Sequence, residues 1–173
     1  LVYLAKNGFA VYGIDIAEEG IKIAKKWLKE ENLKANLKIG SIYKILPYKD
    51  NFFDAIISTQ SFHHERINNI RKAILETERI LKPKGLIFIT FRKRKARKLH
   101  LKEIIIEKYN KQKSRYKIID SRTYIPMEGI EKGLPHYLFN KELIKKEFHN
   151  FRINNIWVDS KRRHYYCLMG ELC

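Results

Sequence analysis

The chain has 173 residues, which fits one domain with a full-sized hydrophobic core. Hydrophobic residues make up 45% of it and charged residues 32%, values that exclude a disordered or membrane-spanning protein. The net charge of +17 indicates either attraction to polyanions or a lysine-rich solvated surface. Cys167 and Cys173 have neither metal-binding spacing nor a disulfide framework, so the sequence predicts no metal site and a reduced, cytoplasmic setting.

The first half of the chain alternates between helices and short apolar strands. Residues 1–6 are predicted to end a helix at the pair Asn7-Gly8, and residues 9–15 to form a buried strand, because their apolar side chains run nearly unbroken. The next predicted elements are a helix over 18–33, strands over 37–42 and 53–59, a helix over 66–81 that stops at KPKG, and a strand over 86–91. This alternation predicts an α/β fold with a parallel sheet between layers of helices.

The second half of the chain departs from this alternation at Arg92. Residues 92–102 include seven basic side chains, and the segment is predicted to continue as a helix to about residue 113. A loop with several glycines and prolines follows, and then a helix over 140–149 with Asn140 as its N-cap. The last two strands, over 151–159 and 164–172, are separated only by a short charged turn, so we predict that they pair antiparallel.

The chain resembles class I S-adenosylmethionine-dependent methyltransferases in three segments that follow in the same order and at similar spacings: VYGIDIAEEGIKIAK, LKIGSIYKILPYKDNFFDAIISTQSFHH and ETERILKPKGLIFITF. The likeness covers nearly the whole chain from about Gly8 onward. It implies S-adenosylmethionine as the cofactor and a Rossmann-like sheet that is mostly parallel with an antiparallel last strand. It also implies a single methyltransferase-like domain over 1–173, in which 92–139 form a basic cap or insertion.

The resemblance implies cofactor-binding roles for residues that follow the predicted strands. Asp15 would accept hydrogen bonds from both ribose hydroxyls, since a carboxylate offers two acceptor oxygens, although an acidic N-cap is the alternative for it. Ile16 would pack against the adenine, or belong to the ordinary core. Ser41 and Ile42 would flank the adenine, and Ser41 departs from the family, which usually has an aspartate there. Thr59 would face the methionine part of the cofactor.

The resemblance also places the segment STQSFHH beside the methyl-acceptor pocket, at the carboxyl end of a strand, where open α/β sheets bind ligands. Gln60, His63 and His64 would border this pocket, and the two histidines are the candidates for a general base. The alternatives are local capping or packing of these histidines, and methyl transfer that needs in-line positioning and no base. The candidates for the far side of the pocket are Tyr43, Arg122, His136 and Tyr137. The alternative is that these are loop residues whose polar groups make only local hydrogen bonds.

The glycine-rich loop of the family has no counterpart between Leu1 and Asp15, where Gly8 and Gly13 are isolated. Together with the start at Leu1 instead of Met, this predicts a chain that lacks the family's first strand and loop and is impaired in cofactor binding. We therefore expect a methyltransferase of a small-molecule acceptor, truncated at its N-terminus. The alternatives are a non-catalytic remnant of the fold, or an RNA-binding or RNA-methylating protein that uses the basic residues 92–102.

Overall fold

The computed structural model describes residues 1–93, 104–109, 112–161 and 164–173. The chain divides into two compact units, Leu1–Leu46 and Pro47–Cys173. No helix among the described residues is both long enough and apolar enough to cross a membrane.

The first unit contains two helices and two strands in strict alternation. These are α1 (Val2–Lys6), β1 (Tyr12–Asp15), α2 (Glu18–Glu30) and β2 (Asn36–Ile39). The strands β1 and β2 pair in parallel, with Asp15 opposite Ile39. Helix α2 buries Ile21 and Leu28, two turns apart on the same face, while its lysines and glutamates point to solvent. The predicted elements are therefore confirmed in type and order, although both strands are shorter than predicted.

The prediction of a buried strand over residues 9–15 is wrong in its first residues and in its burial, since no residue of Tyr12–Asp15 is buried. Phe9 is 63% exposed, and its backbone N–H donates to the carbonyl of Leu4, while the N–H of Gly8 donates to that of Ala5. These two bonds cap the end of α1, and Gly8 adopts a φ of +80° that suits glycine. Phe9 therefore completes the helix cap, and the strand begins only at Tyr12.

The second unit contains a mixed sheet and a separate antiparallel one. In chain order its elements are β3 (Phe53–Ser58), α3 (Ile67–Ile80), β4 (Leu81–Arg92), β5 (Ile104–Tyr109), β6 (Gln112–Ile118), β7 (Thr123–Pro126), β8 (His136–Tyr137), α4 (Lys141–Glu147), β9 (Phe151–Val158) and β10 (Tyr165–Leu172). The mixed sheet has the order β3-β4-β10-β9, in which β3 and β4 are parallel and β10 is antiparallel to both of its neighbours. The predicted antiparallel pair at the end of the chain is confirmed.

The core of the second unit is centred on β4. Its side chains Ile87, Ile89 and Phe91 are at most 1% exposed. The ring of Phe91 lies 4.6 Å from that of Phe139 and 5.4 Å from that of Phe148, measured between centroids. Ile87, Ile89 and Phe91 alternate along β4 and therefore share one covered face, whereas Leu86 on the other face is 40% exposed.

Strand β4 starts earlier than predicted, because the KPKG segment belongs to it. The helix α3 ends at Ile80 and Leu81 already pairs with Phe53, after which the register shifts before Ala55 pairs with Leu86. Lys84 takes a φ of +64° within this irregular stretch. The segment therefore ends the helix as predicted, but it does so as a bulged strand start.

The predicted helix that runs from Arg92 to about residue 113 is wrong in the part that the structure describes. Arg92 ends β4, and β5 and β6 form an antiparallel pair with Ile104 opposite Lys117. The triplet Ile104-Ile105-Ile106 is β-branched, which favours a strand over a helix. The loop predicted after it contains β7 and β8, which complete a sheet of order β5-β6-β7-β8. Most of the basic stretch, residues 94–103, lies outside the described residues.

Candidate active site

In the first unit, the carboxyl ends of β1 and β2 bring Asp15 and Ser41 to one edge. The N–H of Gly40 donates to the carbonyl of Asp15 at 2.9 Å, so the chain leaves both strands at the same level. Carboxyl ends of parallel strands are where open α/β sheets bind ligands. The sequence-predicted residues Ile16 and Ile42 follow directly after these two positions.

One oxygen of the Asp15 carboxylate makes a local hydrogen bond, and the other makes none with the described residues. Its Oδ1 accepts a hydrogen bond from the N–H of Ala17 at 2.8 Å, which holds the turn into α2. Its Oδ2 accepts no hydrogen bond from any residue that the structure describes. The N-cap of α2 is Ala17, so the N-cap alternative for Asp15 is wrong. The other oxygen of Asp15 can still accept a hydrogen bond from a ribose hydroxyl.

The neighbours of Asp15 also fit an adenosine group. Ile16 is 76% exposed, so the alternative that it belongs to the core is wrong. An isoleucine that is exposed next to a carboxylate offers an apolar face to an adenine ring. The Oγ of Ser41 accepts from the N–H of Tyr43 at 3.2 Å, and its O–H remains available as a donor. Ile42 and Tyr43 are half-buried.

In the second unit, a chain of hydrogen-bonded polar side chains, formed by Gln60, Tyr165 and Arg92, lies at the end of β3. Gln60 adopts a φ of +60°, which is rare for a residue with a side chain, and its N–H donates to Oγ1 of Thr90 at 2.7 Å. The Tyr165 hydroxyl donates to Oε1 of Gln60 at 3.3 Å and accepts from Arg92 at 3.1 Å. The exposed Thr59 precedes this turn. Backbone strain held by such bonds is a common feature of functional sites.

Three histidines meet beside this turn. The ring centroids of His63 and His64 are 4.1 Å apart, and that of His136 lies 5.7 Å from the first and 4.6 Å from the second. The backbone joins the two segments as well, because the N–H of Tyr137 donates to the carbonyl of His63 at 2.7 Å. His63 is 1% and His136 2% exposed. The structure thus brings together three of the sequence-predicted pocket residues.

Burial holds these imidazoles in the neutral form. It lowers the pKa of His63 to about 2, and the neighbouring His64, His136 and Arg92 add to the effect. It lowers the pKa of His136 to about 3 and also lowers the pKa of His64. A neutral imidazole can accept a proton, but one with so low a pKa is a weak base at neutral pH.

Two further pocket candidates have local partners in the structure. Arg122 donates to the carbonyl of Leu138 at 3.1 Å, and Tyr137 packs edge-on against Phe139 at 5.1 Å between centroids. Their place in an acceptor pocket stays a prediction.

The pattern-based reasoning missed three residues around the histidines. Arg92 and Tyr165 form the polar chain described above, and the ring of Tyr124 stacks on that of His136 at 4.9 Å. Arg92 could have been found from its position, since it is the first polar residue after the apolar run of β4. Tyr124 and Tyr165 carry no comparable signal in the sequence.

Comparison with known proteins identifies the family. Residues 1–89 match the family described as "Methyltransferase domain". The chain belongs to this family. This membership confirms the resemblance to class I S-adenosylmethionine-dependent methyltransferases. The cofactor of this family is S-adenosylmethionine.

Individual relatives of this methyltransferase-family chain agree with the assignment. A ubiquinone biosynthesis O-methyltransferase of Rickettsia akari is 29% identical over 106 residues, which are 61% of this chain and 40% of that protein. A ubiquinone/menaquinone biosynthesis C-methyltransferase of the same organism is 41% identical over 80 residues, 46% of this chain and 32% of that protein. The chain thus spans between a third and two fifths of the length of these curated relatives.

A solved structure supports the fold of the family member. The S-adenosylmethionine-dependent methyltransferase of Methanosarcina mazei matches with a TM-score of 0.74 and 18% identity, over 99% of this chain and 85% of that one. At this identity the likeness concerns the fold alone. The expected Rossmann-like α/β fold of class I methyltransferases is therefore confirmed.

Proposed function

We propose that the chain is an S-adenosylmethionine-dependent methyltransferase that acts on a small-molecule acceptor. The observation that carries the proposal is Asp15, which ends a parallel strand with one carboxylate oxygen unused, next to the exposed Ile16. Both residues lie within the segment that matches the family. The cofactor supplies an electrophilic methyl group, and the protein has to bind and align the two reactants.

The first unit would hold the adenosine part of the cofactor. Asp15 would accept from the ribose through Oδ2, Ile16 would cover one face of the adenine, and Ser41 would meet the adenine edge with its hydroxyl. Ile42 would contribute its backbone N–H to the same edge. For the methionine part the candidate is Thr59, which belongs to the second unit, follows β3 and is exposed.

The second unit would bind the methyl acceptor near the end of β3. We propose that Gln60 and the histidine cluster border this pocket and that transfer depends on positioning more than on a general base. The low pKa of His63, about 2, makes this residue a weak proton acceptor. Burial also lowers the pKa of His64. The relatives named for ubiquinone and menaquinone biosynthesis favour an acceptor from quinone biosynthesis.

We propose that both compact units belong to a single methyltransferase-like domain over residues 1–173. The family match supports this, because it runs from residue 1 to 89 and so crosses the border between the units after Leu46. The cytoplasm is the compartment that we propose, since Cys167 and Cys173 are both free thiols.

Cofactor binding can be tested with a pair of matched variants. We expect binding that saturation-transfer NMR detects and that is too weak for a clear calorimetric titration, because the 173 residues contain no glycine-rich loop. Asp15→Asn keeps an acceptor for Ala17 but replaces the second oxygen with a donor, so it should abolish the NMR signal. Glu19→Gln, an exposed charge change in the first turn of α2, should leave it unchanged.

Two results would count against the proposed cofactor site, and a third would count against the expected impairment. Absence of saturation transfer in the unaltered chain, or an equal signal in Asp15→Asn, would overturn the assigned cofactor site. Tight binding by calorimetry would instead show that the expected impairment is wrong.

A role in RNA binding or RNA methylation stays a prediction. It rests on the net charge of +17 and on residues 92–102, of which only Arg92 and Lys93 are described. Arg92 lies among Tyr165 and the histidines, so it is not part of a free basic surface. Retention of RNA on a filter at low salt, falling as salt rises, would support this alternative, and no retention would exclude it.

A further inference from the structure

The three histidines described above form a set of metal-ligand type that the spacing of the sequence does not reveal. His63, His64 and His136 each offer a ring nitrogen, and these atoms lie within 4.8 Å of one another. His63 and His64 follow β3, whereas His136 comes from β8, so the set is assembled by the fold of the second unit. This observation does not depend on the proposed methyltransferase activity.

Several buried ring nitrogens in this cluster make no hydrogen bond to the residues that the structure describes. Within the described part of the chain, Nδ1 of His63 and both ring nitrogens of His136 are buried and make no hydrogen bond. Buried polar atoms are almost always hydrogen-bonded, because leaving them unpaired costs free energy. A metal ion that accepts a nitrogen lone pair from each of these two imidazoles would satisfy one buried atom of each ring.

We propose that His63, His64 and His136 bind one divalent transition-metal ion of the zinc type. Neutral imidazole nitrogens are preferred ligands of Zn²⁺, and three histidines plus a water or substrate atom make up a four-coordinate site. The separation of up to 4.8 Å is wider than the spacing in an occupied site, so small rotations of the rings accompany binding.

Glu131 supplies the second part of the site. Its Oε2 lies 3.3 Å from Nε2 of His136, close enough to accept the ring proton after a small adjustment. A carboxylate in this position fixes the tautomer and leaves Nδ1 of His136 for the metal. Its negative charge also offsets the guanidinium of Arg92, which acts on all three histidines and opposes a bound cation.

The experiment uses the purified chain without an affinity tag, treated with a chelator and then titrated with Co²⁺. We expect visible absorption bands of a four-coordinate site at one Co²⁺ per chain, and competition by Zn²⁺. His136→Gln should weaken Zn²⁺ binding more than tenfold, and Glu131→Gln should weaken it by about 10–100-fold, as for other residues that orient metal-bound histidines. His149→Gln is the matched control, since His149 is exposed and its Nδ1 lies 3.2 Å from the carbonyl of Lys146.

The outcomes decide the proposal. No Co²⁺ bands in the unaltered chain, or equal Zn²⁺ affinity in His136→Gln and the unaltered chain, would overturn it and leave the histidines as packed core residues. Glu131 is largely exposed, so Glu131→Gln keeps the test valid if His136→Gln does not fold. Because the titration contains no S-adenosylmethionine, its result is separate from that of the cofactor-binding test.

Discussion

Arg71 and Glu147 form a two-pronged ion pair between α3 and α4. Nε of Arg71 donates to Oε2 of Glu147 at 2.8 Å, and a second guanidinium nitrogen donates to Oε1 at 2.9 Å. The Glu147 side chain is only 5% exposed, while that of Arg71 is half exposed. The hydrogen bonds from Arg71 hold the pKa of Glu147 below its ordinary value of 4.5, against the opposing effect of burial.

Because of the Arg71–Glu147 pair, we expect the free energy of unfolding to fall at acid pH. Because the pKa of Glu147 is lower in the folded chain, the unfolded chain binds more protons below pH 4.5. The contribution of the pair is therefore complete above pH 4.5 and is lost as the pH falls through the lowered value. Glu147→Gln should reduce the free energy of unfolding by about 1–2 kcal/mol at pH 7, and by less at pH 3.

Urea unfolding at several pH values measures this difference. Glu142→Gln is the control, because Glu142 is exposed in the first turn of the same helix. The difference in free energy of unfolding between Glu147→Gln and the unaltered chain should shrink from pH 7 to pH 3. A constant difference would contradict the role assigned to the ionised Glu147.

The start of α4 depends on the Asn140 side chain. Its Oδ1 accepts from the N–H of Leu143 at 3.0 Å, in the N-cap arrangement that the sequence predicts. Asn140→Ala leaves this N–H without its partner and should lower the free energy of unfolding by about 1 kcal/mol. Asn140→Asp keeps the acceptor and should retain the stability. Equal unfolding midpoints for the alanine variant and the unaltered chain would show that the cap adds nothing.

Lys84 occupies a left-handed backbone conformation that glycine adopts without strain. Its φ is +64°, and its side chain is exposed. Lys84→Gly should raise the free energy of unfolding by roughly 0.5–1 kcal/mol. In this conformation the Cβ of a non-glycine residue costs about 1–2 kcal/mol of strain, and part of the gain from removing it is offset because glycine makes the unfolded chain more flexible. Lys84→Ala removes the charge but keeps the Cβ, so it should give no gain. A similar rise for both variants would point to the charge instead.

Ser41 offers a gain-of-affinity test of the cofactor site. Its hydroxyl lacks the charge that the aspartate usual in this family would bring to the adenine amino group. Ser41→Asp should tighten S-adenosylmethionine binding about fivefold, because a charged acceptor adds on the order of 1 kcal/mol. The change can also preserve the hydrogen bond from the N–H of Tyr43. An NMR titration measures the effect, and weaker or unchanged binding would count against the place assigned to Ser41.

Much of the fold could be predicted, because local patterns determine it. The periodic burial of Ile21 and Leu28 follows from helical spacing, and the alternate burial of Ile87, Ile89 and Phe91 follows from the two-residue period of a strand. The errors arose where two local preferences compete. The basic charges after Arg92 favoured a helix, but the β-branched triplet 104–106 lies in a strand.

By itself, the sequence determined the order of the elements up to Arg92 and the edge that carries Asp15 and Ser41. Both residues follow short apolar strands, and parallel pairing of those strands places their ends together. Only the tertiary structure decided the surroundings of His64. His136 reaches it through the pairing of β8 with β7 and a bond from Tyr137 to His63, and such contacts depend on the whole chain path. Burial that lowers the histidine pKa values likewise arises from packing, which a local pattern does not encode.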